Sequence, residues 1–316
     1  MKALLGIRDS LALFYSMHDT VLNLFLKFSA LTALCCLILT GSCGGTIADP
    51  VRYLPALAAG AAGCLLPGAS AILPLCVWIV FCAWLCSLEA ALAAAVLELL
   101  FLLLFFSFFP DDAWVVITVM LLCLLKIPSA AVLAGALLLE LNAVPGIAAG
   151  CFLAAFPAAL GIPGLAEAGM EAVFTVGTRT PEHVLRLMEG VLSSEAWVLT
   201  AIVLTAGFLI VYVLRIIPAS YMAPVSVLAG LTALIMLYGI KGLVYPGGFD
   251  MPGMAADLAV GLLLAGFVLV FRFALEYLRT ESLRFEDDDY MYYVRAVPKM
   301  SRGRTRNKKE GGSRYE

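Results

Sequence analysis

The sequence predicts an all-α integral membrane protein, a helical bundle of six full spans and two helical hairpins with eight to ten membrane segments in total. Apolar residues make up 63% of the 316-residue chain and charged residues 14%, whereas soluble domains average about 45–50% and about 25%. The mean hydropathy is +1.00. The apolar residues also form long runs, such as 88–109 and 196–214, which match the roughly 20 residues that a membrane-crossing helix needs.

The six predicted full spans are runs of this kind. They cover residues 21–40, 88–109, 144–160, 196–215, 221–244 and 255–278. Residues 1–20 carry apolar side chains at a helical spacing, which predicts an amphipathic helix at the membrane interface. The chain is therefore divided into this interfacial helix, a transmembrane domain over residues 21–278 and a tail over residues 279–316.

The first predicted hairpin lies at residues 53–87. Its first arm, residues 53–66, would extend only about 21 Å as a helix, which is short of a hydrocarbon core roughly 30 Å thick. Pro67-Gly68 follows this arm and is typical of a tight turn, and residues 69–87 form the second arm. The hairpin either re-enters the membrane or crosses it twice.

The second predicted hairpin lies at residues 113–141 and breaks at Lys126-Ile127-Pro128. A single helix over this range would place the lysine near its centre, at a cost of about 3 kcal/mol. The proline would also remove a backbone hydrogen bond. Two short arms, 113–126 and 129–141, joined by a turn avoid both costs. This hairpin too either re-enters or crosses twice.

The distribution of charge predicts the orientation. Residues 279–316 hold ten of the twenty Lys and Arg residues, and basic residues accumulate on the cytoplasmic side of membrane proteins. Six full spans then return the N-terminus to the cytoplasm, because a hairpin leaves the chain on the side from which it came. The loop 161–195, with five acidic and two basic residues, falls outside.

Two stretches of the sequence resemble each other. LLKIPSAAVLAG at 124–135 and LRIIPASYMAPVSVLAG at 214–230 both contain a basic residue, isoleucine, proline and VLAG. Many secondary transporters build a site at the membrane midplane from opposed copies of a broken helix. The alternative is that a basic residue and a proline simply mark the ends of membrane helices, and both interpretations stay open.

Charged residues within the apolar runs are the candidates for a functional site. They are Glu89, Glu98, Lys126, Glu140, Asp257, Arg272 and Glu276. Glu98 lies in the middle of the span 88–109, and its natural partner is Lys126 at the break. With Glu140 these two residues form the predicted intramembrane polar site, which acts either as a structural pair or as an ion or proton site.

The sequence lacks the usual signatures of enzymes and of metal or cofactor sites. It has no P-loop, no HExxH and no CxxC, and only two histidines. Its nine cysteines lie mostly in apolar runs, where cysteine behaves as a small hydrophobic residue. We therefore expect no enzymatic activity, no metal and no cofactor, and the composition gives no indication of nucleic-acid binding.

The tail contains a charged and aromatic segment that cannot lie in the membrane. This segment is RFEDDDYMYYVRAVPK, residues 284–299, and the chain after it is basic, which suits anionic lipid headgroups. Residues 285–299 suit a strand or peptide that docks on a cytosolic partner, the alternative being a disordered tail. The residues predicted to dock are Asp287, Asp288, Asp289, Tyr290, Tyr292 and Tyr293.

Four segments resemble a largely uncharacterised family of bacterial polytopic membrane proteins, some of which are labelled ABC-transporter permease. They are FYSxxDxxLNxxxKF at 14–28, FxPDDAxVV ending at Val116, LKIP at 125–128 and FEDDDYxYYVxAVPK at 285–299. The resemblance implies a shared bacterial multi-pass architecture with a Lys-Ile-Pro break and an acidic, aromatic tail. Together with the charge distribution, it predicts a protein of the bacterial inner or plasma membrane with both termini cytoplasmic. It implies little about a substrate.

These patterns predict a transport or permease-type membrane component whose tail docks a cytosolic partner. The polar break around Lys126, with Glu98 and Glu140, is its predicted site. The alternative is a non-catalytic membrane scaffold subunit of an envelope or secretion assembly, because polytopic architecture alone does not imply transport.

Overall fold

The structure is a computed structural model, and it forms two compact units, Met1–Leu269 and Val270–Glu316. It describes residues 10, 14–15, 17–43, 53–66, 68–86, 88–108, 110–159, 188–189, 195–217, 222–244, 251–274, 281–286 and 291–296. Most of the predicted interfacial helix 1–20 and of the loop 161–195 lies outside these ranges.

The first unit is helical. Its α-helices are α1 (Asp19–Cys43), α2 (Leu54–Leu65), α3 (Ile72–Cys86), α4 (Leu88–Phe108), α5 (Ala113–Leu124), α6 (Ser129–Leu133), α7 (Gly135–Leu138), α8 (Ala143–Ala159), α9 (Glu195–Ile216), α10 (Met222–Val244) and α11 (Met251–Val268). Short 3-10 helices, Gly68–Ala71 and Pro110–Asp112, precede α3 and α5, and a π-helical segment, Leu269–Ala274, follows α11.

Five helices in the described ranges are long and apolar enough to cross a membrane. They are Asp19–Leu39, Leu88–Phe108, Trp197–Ile216, Met222–Val244 and Met251–Phe271. Each corresponds to one of the predicted spans, because length and hydropathy are local properties that a sequence displays directly. The helical class and the membrane-spanning character of the chain are thus supported.

Two of the predicted spans differ from the helices observed. The span 144–160 corresponds to α8, which has 17 residues and extends only about 25 Å, so the count of six full spans is not confirmed. The last helix begins at Met251 rather than at residue 255, because Pro252 is well tolerated in the first turn of a helix.

Helices α1 to α5 and α8 share one apolar core. The arms α2 and α3 pack against each other, and α2 also packs against α1. Between the arms Gly68 has a φ of +49°, a left-handed conformation that glycine adopts without steric cost. Trp78 Nε1 donates to the main-chain oxygen of Cys35 (3.1 Å) and so joins α3 to α1.

The chain breaks at Lys126-Ile127-Pro128, as predicted. Ile127 N–H donates to Leu122 O (2.9 Å) and Lys126 N–H donates to Cys123 O (3.0 Å), which is the Schellman arrangement that ends many helices. Lys126 has a φ of 61° and takes the left-handed position of this motif, where glycine is usual. The next helix begins directly after the proline, at Ser129.

The arms on either side of this break do not pair mainly with each other. Helix α5 packs chiefly against α8 and α1, whereas α6 packs chiefly against α11 and α9. A second hairpin is therefore not confirmed, and the break instead connects two groups of helices. A lysine and a proline close together in the sequence predicted the break, but the packing of each arm depends on helices that are distant in the sequence.

The second group of helices surrounds α6 and α7. Helix α9 packs against α10 and α8, and both α10 and α11 pack against α6. Arg215, in the last turn of α9, donates from Nη1 to Ala136 O (2.7 Å) and to Leu139 O (3.4 Å). These carbonyl groups lie at the C-terminal end of α7, which a basic side chain stabilises.

The second unit contains a β-hairpin. Strand β1 (Glu281–Glu286) pairs antiparallel with β2 (Met291–Ala296), with Glu281 opposite Ala296 and Glu286 opposite Met291. The predicted strand-forming segment of the tail thus forms strands, and these strands pair with each other. A two-stranded hairpin was not predicted.

Candidate functional site

A buried carboxylate, Asp257, accepts hydrogen bonds from two other helices. Ser129 N–H donates to Oδ1 (N···O 2.9 Å), and Tyr238 O–H donates to Oδ2 (2.9 Å). Ser129 Oγ lies 2.7 Å from Oδ1 and 2.8 Å from the main-chain oxygen of Asp257. We call these three residues the Asp257 centre.

The Asp257 centre is enclosed by protein. Asp257 is 4% exposed and Ser129 0%, and Tyr238 is also buried. The three residues come from α11, α6 and α10. Buried polar groups cost free energy unless they are hydrogen-bonded, and here both carboxylate oxygens have a donor. The centre therefore joins three helices through polar contacts.

Close packing of α11 on α6 makes these contacts feasible. Gly261 lies one turn after Asp257, and a Cβ atom there would meet Ser129 Oγ and approach Ala130 N to 3.2 Å. A small residue at such a position lets two membrane helices approach closely. Gly261 thus brings the carboxylate within reach of Ser129, the first residue of α6.

Further polar side chains surround the Asp257 centre. Lys241, one turn after Tyr238 on α10, donates to Thr200 Oγ1 on α9 (2.7 Å). Cys123, near the end of α5, contacts Cys151 on α8 and interacts electrostatically with Asp257. The groups come from six helices, α5, α6 and α8 to α11, and lie beside the broken backbone between α5 and α6.

No hydrogen bond or ion pair joins the three predicted site residues to one another in the described part of the chain. Glu98 is 2% exposed within the apolar core of the first helix group, and its Oε1 has no hydrogen-bond partner. Lys126 and Glu140 are exposed. Across the described ranges, no ion pair joins Glu98 to either of them. The predicted pairing of Glu98 with Lys126 is therefore absent from this structure.

Sequence reasoning selected Glu98 over Asp257 because Glu98 lies in the middle of a span. Asp257 was among the charged residues of the apolar runs, but it lies in the second turn of its helix, where an interfacial position is the usual interpretation. Ser129 and Tyr238 were not selected. Only the position of Ser129, directly after the Lys-Ile-Pro break, could have indicated its role from the sequence.

The predicted docking residues of the tail are described only in part. Tyr292 and Tyr293 lie in β2, opposite Phe285 and Arg284. The other four predicted docking residues, at positions 287–290, lie outside the described residues, as does the basic segment from Val297 onward. In the described ranges, no group of three or more His, Cys, Asp or Glu side chains is placed to hold a metal ion.

Comparison with protein-family models, with curated proteins and with solved structures gives no match for this chain. The functional interpretation therefore rests on the arrangement of its own residues.

Proposed function

We propose that the protein is a transport or permease-type membrane component and that the Asp257 centre is its translocation site. The observation that carries the proposal is a buried carboxylate, bonded to Ser129 and Tyr238, beside a broken helix. Ionisable groups inside a helix bundle are costly, and they commonly mark a pathway for substrates or ions. Transporters place such groups where a discontinuous helix leaves backbone polar groups free.

The position of the break supports this proposal. Residues 125–128 separate α5 from α6 within an apolar region, and neither helix is long enough to span the bilayer. Non-helical backbone at membrane depth is tolerated where protein buries it or where it lines a water-filled cavity. The Asp257 centre lies immediately after this segment, at Ser129.

The proposal extends to the tail and to the orientation. A two-stranded hairpin is marginally stable at best on its own in water, and it presents strand edges to which a partner can add. The register pairs Leu283 with Val294 and Phe285 with Tyr292. We propose that this hairpin docks a cytosolic partner, with both termini of the protein cytoplasmic in a bacterial inner membrane.

A scaffold subunit of an envelope or secretion assembly is the competing function, and the same tail hairpin favours it. The two functions differ at the Asp257 centre. A transporter must open its site to water on each side of the membrane in turn, whereas a scaffold has no such requirement.

Thiol labelling from the two sides of the membrane separates these functions. Ile127, half-buried in the break, is changed to cysteine, and right-side-out and inverted vesicles are treated with a membrane-impermeant methanethiosulfonate. Peptide mass spectrometry reads the occupancy of residue 127 apart from the native cysteines. We expect labelling of Ile127→Cys from both sides.

The matched control is Leu263→Cys. Leu263 is 74% exposed on the membrane-spanning helix α11, where lipid surrounds it, so a charged reagent should label it from neither side. Labelling of residue 127 from one side only, or from neither, would overturn the proposed transport function and favour the scaffold.

A further inference from the structure

We propose that Asp257 is a proton carrier, whose carboxyl group takes up and releases a proton through the break between α5 and α6. This inference rests on the transport function proposed above and names the coupling species of the same site. The supporting observation is that Ser129 and Tyr238 can form hydrogen bonds with Asp257 in both of its charge states.

The Ser129 hydroxyl has two acceptors at almost equal distance. Its Oγ lies 2.7 Å from Asp257 Oδ1 and 2.8 Å from the main-chain oxygen of Asp257, but a hydroxyl has only one proton to donate. When the carboxyl group is ionised, Ser129 donates to Oδ1. When it is protonated, the hydroxyl can turn to the main-chain oxygen and accept from the carboxyl O–H.

Tyr238 has the same ability. A phenolic hydroxyl both donates and accepts, so the contact between its oxygen and Asp257 Oδ2 at 2.9 Å suits either charge state. A lysine or arginine partner would instead favour the ionised form alone. The cation on the neighbouring turn, Lys241, donates to Thr200, and no residue that the structure describes gives Asp257 a fixed counter-charge.

Apart from Lys241, the described helices that pack chiefly on α11 contribute no charged side chain. Helices α6 and α7, which pack on α11, contain no titratable residue. Helix α10 contributes Tyr238 and Lys241, and α5 contributes Cys123, which is in contact with Cys151. Protonation of Asp257 therefore removes a buried charge that few other charges balance, and this makes the two states structurally distinct.

The short distances between the oxygen atoms of the centre favour a proton over a larger ion or solute. Asp257, Ser129 and Tyr238 are already in hydrogen-bond contact at 2.7–2.9 Å, so no metal cation or organic solute fits between them. Uptake forms one O–H bond on the carboxyl group at the expense of one O–H bond of a hydronium ion, and release reverses this. No electrons move.

Infrared titration of the full chain in lipid nanodiscs tests the proposal. We expect the carbonyl stretch of a protonated carboxyl group to weaken as pH rises and to shift in deuterated water. Asp257→Asn should lack this titrating band. Glu98→Gln, which changes a buried carboxyl group in the other helix group, should keep it.

Tyr238→Phe provides a second variant that leaves the carboxyl group in place. Tyr238 donates to the ionised carboxylate through a charge-assisted hydrogen bond, which is stronger than the bond that it can accept from the protonated carboxyl group. Its loss should therefore move the pH midpoint of the band upward. This shift decides the matter if Asp257→Asn does not fold. A band that is unchanged in Asp257→Asn, that does not depend on pH, or that keeps its midpoint in Tyr238→Phe would overturn the proton-carrier role.

The two proposals fail in different ways. If Ile127→Cys is labelled from both sides but no band of Asp257 titrates, proton coupling fails and transport stands. If labelling is one-sided, the transport function fails whatever the infrared titration shows.

Discussion

Lys126 adopts a backbone conformation that side chains other than glycine rarely take. Its φ of 61° follows from its place in the helix-ending motif of α5, where the left-handed position costs an L-residue roughly 1–2 kcal/mol. Its side chain is exposed and has no ion-pair partner in the described ranges, so no ion pair among the described residues offsets this strain. Lys126 is thus a turn residue in this structure.

Replacement of Lys126 by glycine should therefore stabilise the fold, by up to about 1 kcal/mol. Leu125→Gly is the matched control, because Leu125, at the C-cap of α5, has a φ of −74°. This value lies in the ordinary right-handed region, so glycine there relieves no strain and should not stabilise the fold. Chemical unfolding in detergent measures both. Destabilisation by Lys126→Gly would show instead that the lysine side chain makes a stabilising contact.

Glu98 and Lys126 should also be energetically independent. A double-mutant cycle with Glu98→Gln and Lys126→Gln should give a coupling below about 0.5 kcal/mol, as for residues that share no partner. Ser129→Ala and Tyr238→Phe, which share Asp257, should exceed that value. Unfolding free energies of the single and double variants supply the measurement, and a large coupling in the first cycle would restore the pair expected from the sequence.

At the scale of elements, the approach of α11 to α6 depends on one small residue. Gly261 faces Ser129 and Ala130 so closely that a Cβ atom would displace the Ser129 hydroxyl and press against the backbone of both residues. The hydrogen bonds to Asp257 depend on this approach, because they connect residues on both helices. The helix pair and the polar centre are therefore expected to be lost together.

Gly261→Ala should destabilise the protein by about 1–3 kcal/mol, the usual cost of overpacking. Gly266→Ala on the same helix is the control, since a Cβ atom there meets nothing within 4 Å and alanine favours a helix by about 1 kcal/mol. Thermal unfolding in detergent compares the two. Equal effects of both substitutions would mean that α6 and α11 do not approach as described.

The sequence predicted the helices better than it predicted their contacts. The break at Lys126 and the turn at Gly68 were predictable because the signals, a charge or a glycine beside a proline, lie within a few residues. The bond from Tyr238 to Asp257, and that from Ser129 to the same carboxylate across 128 positions, arise only once α6, α10 and α11 pack together. No local pattern encodes such a meeting.

At the scale of the whole molecule, two helix groups meet at the break after α5. The group around α1 contains Glu98, whose Oε1 has no hydrogen-bond partner, and the group around α9 contains the hydrogen-bonded carboxylate of Asp257. The sequence pointed to the first and the geometry points to the second. The two helix groups are therefore alternative locations for the site that controls access through the membrane, and substitution of Glu98 or of Asp257 distinguishes them.

The most direct test of the Asp257 centre as the functional site is the sidedness of Ile127→Cys labelling in three backgrounds. These are the otherwise unchanged chain, Asp257→Asn and Glu98→Gln. Asp257→Asn removes the ionised form of this side chain. It should therefore shift the ratio of inside to outside labelling, because one of the two conformations of the protein no longer has to accommodate a buried charge. Glu98→Gln should leave the ratio unchanged. A shift caused by Glu98→Gln without one caused by Asp257→Asn would contradict the account and place the functional site in the other helix group.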